Sequence, residues 1–398
     1  MVVKLGLKEN WQQFSLLVVI NAFVGGMVGL ERSILPRLAF EEFQIASHTA
    51  IFSFIIVFGI VKAITNFFAG HLANSVGRRR LLIYGWLFAI PIPFLLMWAT
   101  SWNWIILANV LLGINQGLTW SSTVTMKIDL VGDKQRGLAM GINEFAGYLS
   151  IGLIALLTAW IAETYGIRPY PFYVGILFVI LGLFLSLFWV KDTKHFVETA
   201  ASSSKMELLK KRFWDTSLLN RNLGSITQAG LVNNMNDGMM WGLFPILLAA
   251  KGFTLAEIGF ITALYPMVWG IAQLGTGSLS DFLCQKDLLF IGMLFQGLAI
   301  LGLLYVDSLL AFATLSFALG LGTALVYPTF LASIAENTHP NDRAASLGIF
   351  RFWRDLGYAL GAILTGILAD YFEFNVSILV IGCLTLLSAG VVKSRMTC

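Results

Sequence analysis

Charge is what this chain has least of. Of its 398 residues only 12% are Asp, Glu, Lys or Arg, about half the roughly 25% of an ordinary soluble domain. With 57% hydrophobic residues, a soluble enzyme or a pair of soluble domains built this way would aggregate. The same apolar content excludes disorder. Cysteine is nearly absent too. Cys284, Cys383 and Cys398 have neither framework nor metal-site spacing, so no disulfide scaffold and no zinc site is expected. His48, His71, His195 and His339 fall at or beyond the ends of apolar runs, which argues against a buried metal centre. There is no nucleophile–base pair, no phosphate loop and no segment large enough for a soluble catalytic domain, so neither enzymatic activity nor a cofactor is expected. The first apolar run is too long for a cleavable signal and lacks a small-residue cleavage site before Glu31-Arg32, so it reads as a retained membrane helix.

What is abundant is long apolar sequence. A membrane-crossing helix needs about 20 mostly apolar residues. Twelve such stretches are present, at 13–36, 46–70, 80–99, 103–126, 137–162, 170–190, 222–249, 254–279, 287–306, 309–333, 344–369 and 373–392. Trp98, Trp102 and Trp104 gather at span ends, where interfacial anchors sit. Connections are short except for 191–221, which carries seven basic residues, the Ser202–Ser204 tract, and a segment from Lys205 to Trp214 expected to form a short surface helix. Lys4, Lys8, Arg78–Arg80, Lys127, Lys134, Arg136, the linker, Lys286, Arg343, Lys393 and Arg395 collect on one side, against Arg37, Arg168 and Lys251 on the other. Basic loops stay in the cytoplasm, so both termini and the linker are expected there, in a multi-pass protein of the bacterial inner membrane. This topology accounts for the basic loops, and no nucleic-acid partner is expected.

The two halves superpose when 207 is added to the residue number. Gly70-His-Leu-Ala-Asn74 then meets Gly277-Ser-Leu-Ser-Asp281, Gly113 meets Gly320, and Trp120 meets Tyr327. Asp129 meets Glu336, Arg136 meets Arg343, Gly141 meets Gly348, and Glu163 meets Asp370. The expected organisation is an N-terminal six-helix bundle (1–190), a cytoplasmic linker (191–221) and a C-terminal six-helix bundle (222–398). Parallel repeats of this kind hold the solute site between them, near the bilayer midplane.

Twelve helices, this repeat and the loop Gly70-His-Leu-Ala-Asn-Ser-Val-Gly-Arg-Arg-Arg80 resemble the major facilitator superfamily. The resemblance implies an all-α membrane fold of two pseudo-symmetric six-helix bundles, with alternating-access transport of a small solute. The chain departs from the family at Asn74, where the loop motif usually has Asp, although the second copy keeps Asp281. Asn109 stands before Gly113 where proton-coupled drug exporters usually carry an arginine. The run Asn21 to Arg32 also resembles family members associated with magnetosomes, which implies iron handling. With no histidine–cysteine pair in the spans, iron is a lesser alternative.

Ionisable residues inside a span cost at least about 2.5–3.5 kcal/mol on insertion scales and mark functional sites. Eight stand out: Glu31, Arg32, Lys62, Glu144, Asp237, Arg351, Arg354 and Asp355, four of each sign. Asn233, Asp237 and Trp241 recur at four-residue spacing on one helical face. By the resemblance, the seventh helix lines the cavity. Substrate contact is therefore expected at Asn21, Asn115, Asn233, Asp237, Trp241, Arg351 and Arg354. Glu31, Asp237, Glu144 and Asp355 are proton-coupling candidates, and Lys62, Arg78, Asp129, Asp281, Lys286 and Glu336 gating candidates. Glu31 and Arg32 cannot share a face, so each needs a partner on another helix. Lys62 and Glu144 both lie roughly 10–12 Å inside the membrane, close enough in depth to pair. Gly25, Gly26, Gly29, Gly357 and Gly361 give small-residue spacings for close helix contact. The expected function is proton-coupled transport of a small solute by a monomer, leaning to efflux of an organic molecule. An anion carrier using the Arg351–Arg354 surplus and a non-transporting solute sensor are the alternatives.

Overall fold

In the computed structural model, which describes residues 5–131, 136–193, 196, 211–280 and 282–398, the regular structure of the described residues is helical. The first half contains α1 (Trp11–Arg32), α2 (Leu35–Glu41), α3 (His48–Ile51), α4 (Ser53–Ser75) and α5 (Arg78–Ala89). It continues with α6 (Pro91–Trp98), α7 (Trp102–Val131), α8 (Arg136–Tyr165) and α9 (Tyr173–Phe188). The second half contains α10 (Arg221–Ala250), α11 (Leu255–Leu279), α12 (Gln285–Gly302), α13 (Leu309–Glu336), α14 (Pro340–Tyr371) and α15 (Phe374–Arg395).

These helices make the twelve spans, three of them in two pieces: α1 with α2, α3 with α4, and α5 with α6. Local chemistry sets the breaks. Pro91 opens α6, where its missing N–H leaves no bond unmade. Ser47 caps α3 through a bond from the Ala50 N–H, and Thr254 and Glu257 close a capping box on α11. Among the described residues, nine segments are long and apolar enough to cross a membrane. The other three, α7, α10 and α14, have 30, 30 and 32 residues, ample for a core of about 30 Å. They fall outside that set because they carry the polar groups of the centre.

The molecule is apolar outside and polar within. Phe188, Leu298, Phe295 and Leu387 stand exposed around the bundle, while Asn21, Asn143, Asn233 and Asn236 are fully buried. The repeat is visible in the packing. Helix α1 lies along α8 as α10 lies along α14, and α4 packs on α7 as α11 packs on α13. The halves meet through α4 against α14 and α8 against α11.

Glycines set how closely the helices approach. A Cβ at Gly25 would stand 2.1 Å from the Gly147 carbonyl oxygen, and one at Gly357 2.2 Å from the Leu231 oxygen. Gly29 and Gly361 meet the Ile151 and Met235 backbones in the same way. Gly26 instead receives the Phe178 ring.

At the end opposite the termini, the two halves are tied by one carboxylate. Asp370, in the last turn of α14, accepts from the His48 and Thr49 backbone N–H groups at 2.6 and 3.1 Å and from the Ser47 hydroxyl at 2.9 Å. The His48 ring lies 3.0 Å away.

Three expectations are corrected. Cys284 and Cys398 are joined in a disulfide across 114 residues, because the start of α12 lies beside the end of α15, where Lys393 also bonds Asp287 at 2.8 Å. Sequence spacing cannot report such a long-range approach. The expected helix from Lys205 to Trp214 is a single turn, Arg212–Trp214, in its described part, followed by a π-turn at Asp215–Leu219. Residues 205–210 lie outside the described residues, as does Asp281. Lys127, counted among the basic loop residues, is fully buried in α7.

Replacing Gly25 by valine forces the Gly147 backbone away and is expected to destabilise the fold by about 1–3 kcal/mol, the usual cost of overpacking. A thermal melt in detergent measures it, with Gly390→Val as control, since nothing stands within 4 Å of a Cβ there.

Candidate functional site

The spans converge on a set of charges that the sequence numbered at eight and the structure raises to nine. Arg32, Lys62, Lys127, Arg351 and Arg354 face Glu31, Glu144, Asp237 and Asp355, all buried. The addition is Lys127, so the formal count tips from balance to one positive charge in excess. Its Nζ donates to Asn143 Oδ1 at 2.5 Å, and the Asn143 amide donates to Glu144 Oε1 at 2.6 Å. A helical signal for Lys127 was available: it follows Trp120 and Thr123 at seven and four residues, on their face of α7.

Asp355 is the hub between the halves. It takes Lys62 of α4 at 3.4 Å, Arg354 at 3.5 Å and the Asn66 amide at 2.5 Å. Asn66 accepts from the Ser121 hydroxyl, and Arg351 Nη1 reaches the same hydroxyl at 2.9 Å. The expected Lys62–Glu144 pair is therefore replaced. Glu144 sits with Trp120 Nε1 at 3.2 Å and with Asn143, while Lys62 turns to the opposite half.

Aromatic rings enclose these charges. Arg354 lies 4.1 Å over the Tyr327 ring and donates to the Tyr148 hydroxyl at 3.0 Å. Tyr148 stacks on Trp269 of the other half with centroids 3.4 Å apart. Between Lys62, Trp120, Tyr148, Tyr327, Arg351 and Arg354 remains a cavity of about 10 Å³, near the smallest space that holds one water. Arg351 Nη2 and Arg354 Nε have no hydrogen-bond partner.

Asp237 and Glu31 lie in a second charged region, which they share with Arg32. Tyr265 donates to Asp237 Oδ1, while Oδ2 is unpartnered. Asn109 donates to Glu31 Oε2 at 3.2 Å, and Oε1 is unpartnered. Asn109 thus stands at the position of the exporter arginine, and serves the acid with an amide. Trp241 stacks on Tyr358 with centroids 4.8 Å apart. Asn233 donates only to its neighbour Asn234, at 3.2 Å, and its Oδ1 is unpartnered.

Two expected substrate residues point elsewhere. Asn115 donates to the Gly85 carbonyl of α5 at 2.9 Å, and Asn21 is held by the Asn143 carbonyl at 2.8 Å and the Thr123 hydroxyl. Both satisfy neighbouring backbone rather than the centre. At the termini end, Arg78 pairs with Asp129 at 3.2 Å. Glu336 accepts from Gln285 at 2.7 Å, not from Lys286. At the opposite end a vestibule of about 1100 Å³ opens between the halves, lined by Phe40, Glu41, Glu163, Pro245 and Phe253 among others. Among the described residues, one trio has metal-ligand proximity, Cys284, Asp287 and Cys398. Its two sulfurs are bonded to each other and are not free ligands.

A duplicated twelve-helix membrane protein with a polar centre between its halves is the architecture of a secondary transporter. The Major Facilitator Superfamily model matches residues 14–225 and 226–394, and the chain belongs to that family. It is similar to multidrug resistance protein MdtG of Escherichia coli K12 / DH10B, 24% identical over 392 residues, covering 96% of this chain and 93% of that protein. The same protein in E. coli SE11 matches equally. Among solved structures, the human organic anion transporter MFSD10 (TETRAN) matches with a TM-score of 0.75 at 15% identity, over 96% of this chain and 99% of that one, which shows a shared fold.

Asp355→Asn removes the one acceptor shared by Lys62 and Arg354. Breaking a buried pair in this way is expected to destabilise by about 3–5 kcal/mol. Adding Lys62→Met to Asp355→Asn is expected to recover part of that loss. Melting curves of Asp355→Asn, Lys62→Met and the double variant against wild type in detergent give the coupling.

Proposed function

We propose that this chain is a proton-coupled carrier exporting an aromatic organic anion by alternating access. The observation carrying this reading is the pair of unpartnered donors, Arg351 Nη2 and Arg354 Nε, buried among Trp120, Tyr148 and Tyr327. A guanidinium fork suits a carboxylate, sulfonate or phosphate, and the rings suit an aromatic body. The central space of about 10 Å³ is far too small for a solute in this conformation, so the bundles 1–190 and 222–398 part to admit one, with 191–221 as their tether. Arg78–Asp129, Lys286 and Glu336 act at the rim of that movement. Efflux is supported by the multidrug name of the E. coli relative, and the vestibule provides a route out. Asp237 and Glu31 serve as proton sites through their free oxygens. The carrier works as a monomer in a bacterial inner membrane with its termini in the cytoplasm.

Thermal unfolding against aromatic carboxylates and sulfonates tests the substrate class. A ligand of the folded state adds about 2.7 kcal/mol at a hundredfold excess over its Kd. This stabilisation is expected with the anions and is expected to vanish in Arg351→Ala. Stabilisation by lipophilic cations instead, lost in Asp237→Asn, would make this a cation exporter.

In liposomes, Asp237→Asn is expected to keep counterflow while a pH gradient no longer drives net flux. Equal response of wild type and variant to the gradient would remove Asp237 from coupling.

Orientation has its own test. With Cys284, Cys383 and Cys398 all replaced by serine to remove the disulfide and the free thiol, a membrane-impermeant maleimide is expected to label Lys393→Cys only after cells are opened. Labelling in intact cells would invert the topology.

A further inference from the structure

Arg32 belongs to none of the pairs above. It ends α1 with its side chain buried, and its Nε, Nη1 and Nη2 all lack a hydrogen-bond acceptor. Its guanidinium lies 4.3 Å from the Trp241 ring, 4.7 Å from Phe58 and 5.8 Å from Phe54. The C-terminus of α1 favours a positive charge there, and the rings attract it, but neither supplies an acceptor. Glu31 and Asp237 are the acids whose charges it feels, and neither is in ion-pair contact with it. Both acids also have other donors, Asn109 and Tyr265.

Its placement relative to the inner cations is informative. Lys62 Nζ lies 5.5 Å from the same Phe58 ring and 5.2 Å from Tyr358. Phe58, Tyr358 and Trp241 form a continuous septum, with centroids 5.9 and 4.8 Å apart. Arg32 and Lys62 are therefore separated by no more than their two distances to Phe58 combined. Arg32 occupies the last turn of α1, whose chain runs directly into the vestibule wall at Ser33 and Pro36. A buried cation with open donors thus shares the Phe58 ring with Lys62, on a helix whose continuation lines the vestibule.

We propose that Arg32 is a second anion station. An aromatic anion leaving Arg351 and Arg354 passes its acidic group to Arg32 while its ring lies against Phe58, Tyr358 and Trp241. The solute then moves down a line of two cationic stops rather than escaping from one. This rests on the organic-anion reading above and adds a transit site to it.

The test separates binding from passage, using naphthalene-2-sulfonate as probe and the full chain in detergent and in liposomes. In Arg351→Gln, equilibrium binding is expected to weaken about tenfold or more, the loss of one charged hydrogen bond. In Arg32→Gln, binding is expected to stay within about threefold of wild type while counterflow falls about tenfold or more. Arg32→Lys, which keeps the charge, is expected to restore part of that rate. Wild-type counterflow in Arg32→Gln would overturn the station. So would a parallel fall in binding, transport and melting temperature in both Arg32 variants, which marks a structural residue. A wild-type protein that does not bind the sulfonate overturns the organic-anion reading itself, and the station with it.

Discussion

A charge in hydrocarbon has to be answered, and here the answer comes from the other half of the molecule. Asp355 of α14 is met by Lys62 and Asn66 of α4. Water is not at hand to take over if the two bundles separate dry, so parting them requires something that satisfies both sides. A solute bearing its own charge, or water entering with it, does that. The seam holding the halves together is thus also the place where an entering ligand changes their balance. On the function proposed above, the centre is a switch as well as a binding site.

The same logic separates what is rigid from what moves. Within each half, backbones touch through glycine, as at Gly25 with Gly147 and Gly361 with Met235. Such contacts have no slack and favour bundles that move as bodies. Between the halves, contact at the centre is polar and aromatic: Lys62 to Asp355, Arg351 to Ser121, Tyr148 on Trp269. Hydrogen bonds and stacked rings are exchanged for equivalents more readily than a backbone pair is reseated. Elsewhere on the same boundary glycine brings backbones together as well, as at Gly141 with Gln273 and Gly152 with Ala263, so the exchangeable contacts are those of the centre.

Much of this is legible in the sequence. Hydropathy marks spans without reference to tertiary structure, because in lipid each helix satisfies its own backbone. Charges inside such spans are conspicuous, so Arg351, Arg354, Asp355 and Asp237 were found by position alone. Lys127 escaped because it lies just past an apolar run, where a loop lysine looks identical. Asn21 and Asn115 are ambiguous for a related reason: an amide facing a neighbour's carbonyl and one facing a cavity have the same sequence signature. The Cys284–Cys398 contact and the choice of Asp355 over Glu144 by Lys62 depend on how separate helices are brought side by side. No spacing rule within one helix reports that.

The tie at Asp370 has an evolutionary consequence. Two of its four polar contacts are main-chain N–H groups, at His48 and Thr49, beside the Ser47 hydroxyl and the His48 ring. A carboxylate that grips backbone is indifferent to most side chains opposite it, since every residue but proline offers the same group. Changes at positions 48 and 49 remove only the side-chain share of this contact, such as the His48 ring, while the main-chain share persists. Constraint falls almost wholly on a single acidic residue at the far end of α14, so the two sides of this contact are expected to diverge at unequal rates.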